Sequence, residues 1–183
     1  MPATILTDKL TPLIQFLDGL AQRAPIENLE QLLHESAITL EDVAEFARFG
    51  EKGYTRNLVR GGEWYHLLVL CWRSGQRSPI HNHAQSTCGV RVLTGVATET
   101  KFEKTPSGLL KAVISRDLEE GGVCASQDAD VHQISNLQGA GKDLVTLHIY
   151  SPPLLKMKTY SITDARVEDY TPVIFEHVHG SGI

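Results

Sequence analysis

Leu10, Leu13, Ile14, Leu17, Leu20 and Ala21 recur at intervals of three and four residues, with Phe16 widening the stripe. That period predicts an amphipathic helix. A shorter helical stretch follows over residues 26–33, and a third begins at Thr39, whose side chain can cap while Asp42 answers three residues later. Val43, Phe46 and Ala47 supply its buried face, and Gly50 and Gly53 end it. Beyond Gly53 the pattern shortens to β-rich runs at 54–58, 64–72, 78–83, 88–94, 97–102, 110–116, 122–125, 132–136, 144–150, 159–162 and 172–177. Gly61-Gly62, 105–108, 120–122 and 138–141 mark turns. Helices first and short strands afterwards predict a mainly β chain, a sandwich or barrel over 54–178 capped by helices over 1–50. No repeat or linker divides it, so 183 residues are expected to form one domain.

Chemistry concentrates in one run. His81 and His83 lie two apart in an extended segment, so both imidazoles point to one face. Two neutral nitrogen donors on one face are half of a transition-metal site. His132 is the candidate for the rest. Gly75, five residues, His81-x-His83, four residues, Cys88, six residues and Gly95 follow the first motif of the cupin superfamily. Gly121, His132 and Asn136 fit the second, with Gln127 and Ala129 replacing its usual proline and second glycine. Most cupins place a glutamate ligand where Cys88 stands. Three histidines without a carboxylate leave a divalent ion its full charge, which suits an anionic, thiolate-bearing substrate. Iron(II) and zinc both accept such ligands. His34 and His66 have no comparable frame. His177 and His179 repeat the spacing but lie in the chain's tail, where ligation is not expected.

Composition narrows the class further. The chain is 42% hydrophobic and 21% charged, ordinary for a globular protein, and its net charge of -5 lacks the basic excess that nucleic acid demands. No apolar run approaches the ~20 residues of a membrane span, and no signal peptide is evident. Cys71, Cys88 and Cys124 show neither C-x-x-C spacing nor an even framework, so a reducing cytoplasm is expected. Cys71 and Cys124 read as inert core thiols. With no apolar edge or coiled-coil repeat in view, a monomer is expected.

The run of Tyr54, Thr55, Arg56, Asn57, Leu58 and Val59 resembles a segment of the cysteine dioxygenase family. So do Leu70-Cys71-Trp72, the stretch from Ser78 to His83, Cys88, and the stretch from His148 to Pro153. On that resemblance the chain is similar to a bacterial-type thiol dioxygenase, a cupin-type, jelly-roll-like β-barrel with an N-terminal helical cap. The resemblance implies Fe(II) held by His81, His83 and His132. It further implies L-cysteine and dioxygen as substrates and cysteine sulfinic acid as product. Arg56 falls where the family grips the substrate carboxylate, a role the guanidinium fork suits. Tyr150 matches the active-site tyrosine, and His148 the histidine that hydrogen-bonds it. Tyr54 and Trp72 would line the pocket. Cys88 stands where animal members form a thioether to this tyrosine, and Thr146 where they carry a serine. Met157 replaces a second cysteine near the pocket mouth. The resemblance suggests a cis Ser151-Pro152 bond, against the trans base rate for loops. Two other readings stay open: a dioxygenase of 3-mercaptopropionate or another small thiol, and a non-catalytic metal- or metabolite-binding cupin.

Overall fold

The computed structural model describes residues 7–128 and 130–176. Two short α-helices, α1 (Thr11–Asp18) and α2 (Ile26–Glu35), come first. Gly19 closes α1, so Leu20 and Ala21 lie beyond the helix. The stretch from Thr39 is a 3-10 helix, Leu40–Phe46, instead of an α-helix, because Val43 breaks it at φ -130°. The expected cap is present: the Asp42 carboxylate accepts from the Thr39 backbone N–H at 2.8 Å and from its hydroxyl at 2.9 Å.

The strands are β1 (Thr55–Gly62), β2 (Tyr65–Trp72), β3 (Ile80–His81), β4 (Thr87–Thr94), β5 (Ala97–Lys104) and β6 (Leu110–Leu118). Then come β7 (Val123–Gln127), β8 (Val131–Ser135), β9 (Leu144–Ser151), β10 (Met157–Tyr160), β11 (Val167–Tyr170) and β12 (Phe175–Glu176). They form two six-stranded sheets, β12-β1-β2-β9-β4-β7 and β11-β10-β3-β8-β5-β6. The pairing among described residues joins strands within each sheet and shows no closure of one sheet onto the other.

Two expectations need correction, and one strand was not expected. Gly61 and Gly62 belong to β1, paired with His66 and Tyr65, and the turn is Glu63–Trp64. The run 78–83 pairs only over Ile80–His81, since Pro79 offers no N–H to a ladder. Strand β11 carries no apolar alternation and went unseen, being exposed along most of its length. The tail histidines His177 and His179, and Ala129 of the second cupin motif, lie outside the described residues.

Strand alternation explains where the core sits. In β2, Leu67, Val69 and Cys71 face the helices, packing with Leu13, Leu17, Leu29, Leu33 and Val43. Leu68, Leu70 and Trp72 face the gap between the sheets, with Cys88, Val90, Ile134 and Tyr150. Strand β9 is buried on both faces, which is why it reads as an unbroken apolar run. The linker between α1 and α2 is tied to the strand ends. Ala24 N–H donates to Ser151 Oγ at 2.9 Å, and the Thr87 hydroxyl donates to the Ala24 carbonyl at 2.9 Å. Thr87 and Ser151 are register partners one residue from Cys88 and Tyr150, so the helical cap holds the ends of the two strands that carry that pair. Among the described residues no helix is long and apolar enough to cross a membrane.

Leu29 is fully buried between α2 and the first sheet. Leu29→Ala should destabilise the protein by about 2–5 kcal/mol, the range for emptying such a site. Urea denaturation reads this directly, and a loss below 1 kcal/mol would contradict the packing described.

Candidate metal centre

The two sheets deliver the site from opposite sides. His81 in β3 and His132 in β8 are direct register partners in the second sheet. His83 lies just past β3, in the turn closed by Ser86 N–H to its carbonyl at 2.8 Å. The ligand atoms of the three histidines all lie within 4.8 Å of one another, close enough to share one ion, and all three residues are buried. Ring centroids stand 4.6 to 5.3 Å apart.

The outer nitrogens are engaged. His81 Nδ1 lies 2.9 Å from the Pro79 carbonyl and His132 Nδ1 2.9 Å from Glu99 Oε1. Both partners only accept, so each Nδ1 carries the proton and each Nε2 keeps a free lone pair. His83 Nδ1 meets Ser126 Oγ at 3.2 Å, while its Nε2 is buried without a partner in the protein. Burial, then the neighbouring His132, pushes His81 down to about 3; burial pushes His83 well below the ordinary imidazole range. The rings of His81 and His83 are therefore neutral near pH 7. Buried neutral nitrogens with one orphaned lone pair are a donor set that fits Fe(II) as well as other imidazole-binding ions.

The motif residues around them are structural. Gly95 has φ +83°, and a Cβ there would stand 2.5 Å from the Asp143 carbonyl, so only glycine fits. Gly75 and Gly121 share that backbone region. Asn136 latches the loops, its Nδ2 donating to the carbonyls of Trp72 at 3.0 Å and Lys142 at 2.9 Å.

Facing the histidines, the first sheet supplies Arg56, Trp72, Cys88, His148 and Tyr150, with Tyr54 just before β1. Arg56 is buried, and its Nε and Nη2 have no partner in the protein. Its guanidinium carbon sits 4.9 Å from the Tyr150 ring centroid. Tyr54 and Tyr150 hydrogen-bond with the guanidinium but bring no opposite charge, so a buried cation keeps spare donors that an anion entering the cavity would satisfy. Tyr54 and Trp72 stack at 4.1 Å with 9° between planes, forming one wall. The Cys88 thiol, raised by burial, hydrogen-bonds with the Tyr150 hydroxyl. Met157 is buried in the core between the sheets and does not line the cavity. Ser151-Pro152 is cis. Cys71 and Cys124 are buried thiols pushed up to about 12 by burial, as expected of inert core cysteines. His34 and His66 stand apart from the metal cluster.

One chain of hydrogen bonds has a readable direction. Trp72 Nε1 can only donate, and it donates to Thr146 Oγ1 at 3.0 Å. The Thr146 hydroxyl then gives its proton to His148 Nε2 at 2.9 Å. His148, held neutral by burial and by the nearby Arg56 charge, presents Nδ1–H to the Tyr150 oxygen at 3.1 Å. The Tyr150 hydroxyl also meets the Cys88 thiol and Arg56 at the cavity wall. Thr146, His148 and Tyr150 alternate along β9, so one strand face carries all three.

Sequence reasoning missed Glu99, Arg116 and Ser126, which surround the metal-site histidines. No local signal marks Glu99: that it shares a buried strand face with Ala97 emerges only from the fold.

Fold and site together define a two-sheet β protein with a buried three-histidine metal centre between its sheets. The family model described as cysteine dioxygenase type I matches residues 2–163. The chain belongs to the cysteine dioxygenase type I family. Cysteine dioxygenase type 1 of Rattus norvegicus is 32% identical over 151 residues, covering 79% of this chain and 74% of that protein. The Danio rerio protein of the same name is 31% identical over 140 residues, covering 74% of this chain and 69% of its own. Among solved structures, a Klebsiella pneumoniae protein with a double-stranded beta-helix domain aligns with TM-score 0.51 at 19% identity, over 64% of this chain and 86% of its own. A Thermus thermophilus protein aligns with TM-score 0.51 at 16% identity, over 63% and 98%. These two share the fold alone.

The depressed histidines predict a pH response. An unfolded His81 takes up a proton below about 6.5, whereas the folded ring refuses it until about 3. His83 and His148 shift the same way. Protein stripped of metal by a chelator should therefore lose stability as pH falls from 6.5 toward 3. Urea midpoints at pH 7 and pH 5 test this, and equal midpoints would contradict it.

Proposed function

We propose that this chain is an Fe(II)-dependent thiol dioxygenase that converts L-cysteine and dioxygen to cysteine sulfinic acid. The observation that carries the substrate reading is Arg56, a buried cation with two unpaired N–H groups on the cavity shared with His81, His83 and His132. When bound, Fe(II) supplies the redox chemistry by which dioxygen reacts with a thiolate, and both oxygen atoms pass to sulfur. The protein's own contributions are binding, orientation and proton placement. Arg56 holds the substrate carboxylate, which aims the thiol end of a three-carbon acid toward the histidines. The enclosed cavity and the Tyr54–Trp72 wall keep water from the reacting sulfur. Tyr150 offers a hydroxyl group at the cavity, held in place by His148, Thr146 and Trp72. Fixing reactants in one pose can account for several kcal/mol of rate enhancement, on the order of 7–11 in ideal cases.

Cys88 and Tyr150, register partners on β4 and β9, are the pair proposed to form a thioether. The bond joins sulfur to the phenol ring, two protons and two electrons leave, and dioxygen is the acceptor. The two-sheet body is read as the jelly-roll-like cupin barrel of a single-domain, cytoplasmic monomer. The buried, unpaired thiols suit a reducing compartment.

One observation supports a second reading. Among the described residues lining the cavity, none is Asp or Glu, so an ammonium group finds no acidic partner there. Arg56 weighs against that reading, a 3-mercaptopropionate dioxygenase, because related enzymes acting on that thiol tend to carry glutamine at its position.

Oxygen uptake with cysteine, 3-mercaptopropionate and cysteamine decides between these readings, and 18O2 should label both sulfinate oxygens. No uptake with any thiol would contradict dioxygenase function. Arg56→Ala should lower kcat/KM for cysteine by about ten- to a hundredfold, the worth of charge-assisted hydrogen bonds, while sparing cysteamine, which has no carboxylate. Equal losses for both would remove the clamp role. Tyr150→Phe should retain iron and slow turnover on the order of a hundredfold. Iron loss in that variant would mean that the hydroxyl supports the centre instead of the chemistry.

A further inference from the structure

Among the described residues, Glu99 is the only fully buried carboxylate. Its two oxygens are divided between two partners. Oε1 accepts from His132 Nδ1 at 2.9 Å. Oε2 accepts both Arg116 Nε at 2.8 Å and Arg116 Nη2 at 2.7 Å. The register builds this arrangement: Glu99 lies opposite Arg116 across β5 and β6, and Lys101, two residues on, lies opposite His132 across β5 and β8. Arg116 is half-exposed, so the series runs from solvent through a buried anion to the back of one imidazole.

A buried carboxylate costs free energy unless it is fully partnered, and an apolar side chain would pack between two sheets without that penalty. Packing alone does not account for Glu99. Oε2 faces a permanently charged guanidinium and Oε1 a ring N–H, so every bond around the carboxyl group is made to its ionised form.

We infer that Glu99 is a positioning residue for the metal centre, fixing His132 with Nε2 inward and setting one negative charge behind an otherwise neutral donor set. Arg116 moderates that charge. A carboxylate on the far nitrogen of a ligating histidine orients the ring and raises its basicity. This inference rests on the reading that His81, His83 and His132 hold Fe(II).

The test compares wild type, Glu99→Gln and Arg116→Gln without substrate. Fe(II) affinity is measured anaerobically against a chromophoric chelator, and the Fe(III)/Fe(II) midpoint potential by mediated titration. Glu99→Gln keeps an accepting oxygen and the size but loses the charge. Its Fe(II) affinity should fall about ten- to a hundredfold and its potential should rise. Arg116→Gln leaves the carboxylate less compensated, so its potential should move down with no loss of affinity. Damaged packing would weaken both variants alike, so opposite shifts mark the charge. Wild-type affinity and potential in Glu99→Gln would overturn the inference, as would shifts of one sign in both variants. If Glu99→Gln does not fold, an unchanged potential in Arg116→Gln overturns it. Wild type that binds Fe(II) no better than His132→Ala would instead overturn the metal centre itself.

Discussion

The site depends on hydrogen bonds to the outer nitrogens of its histidines. Pro79 and Glu99 accept hydrogen bonds from Nδ1–H of His81 and His132, and Ser126 meets Nδ1 of His83. Each partner leaves Nε2 as the nitrogen available to a metal. Without them an imidazole can turn over or swap tautomers, and three converging nitrogens become three unrelated side chains. Two of these partners are also tied into the fold: Pro79 stands beside the short strand β3, and Ser126 lies on β7 opposite Cys88.

The two sheets divide the work. The second supplies His81 and His132 from adjacent strands and Glu99 from a third. The first supplies a cationic and aromatic wall, with Arg56, Trp72 and the β9 series of Thr146, His148 and Tyr150. The helices take no direct part in the cavity. They cover the outer face of the first sheet and, through Ala24, tie the ends of β4 and β9 beside Cys88 and Tyr150. Burial on both faces makes β9 a stiff platform, which suits a strand that must present three hydrogen-bonded side chains in line.

Much of this was legible in the chain. The alternation in β2 and β9, the glycine-framed histidines and the Thr39–Asp42 cap all involve local patterns, which one sequence displays. The residues brought together across long separations were legible only through the family likeness, as with Arg56 and Tyr150. What escaped notice lacked a local pattern. Strand β11 is mostly exposed, so nothing obliged its side chains to alternate. The 3-10 geometry after Thr39 is a matter of backbone at Val43. Glu99 resembles any strand glutamate until its face is traced to His132, 33 residues away.

The central claim is that three imidazoles hold one ferrous ion to which a thiol then binds. X-ray absorption on the anaerobic Fe(II) protein measures this directly. The account predicts scattering from three imidazoles per iron and no further protein donor, with a sulfur neighbour appearing once cysteine is added. Fewer than three imidazoles, a fourth protein side chain on the iron, or no sulfur after cysteine addition would contradict it.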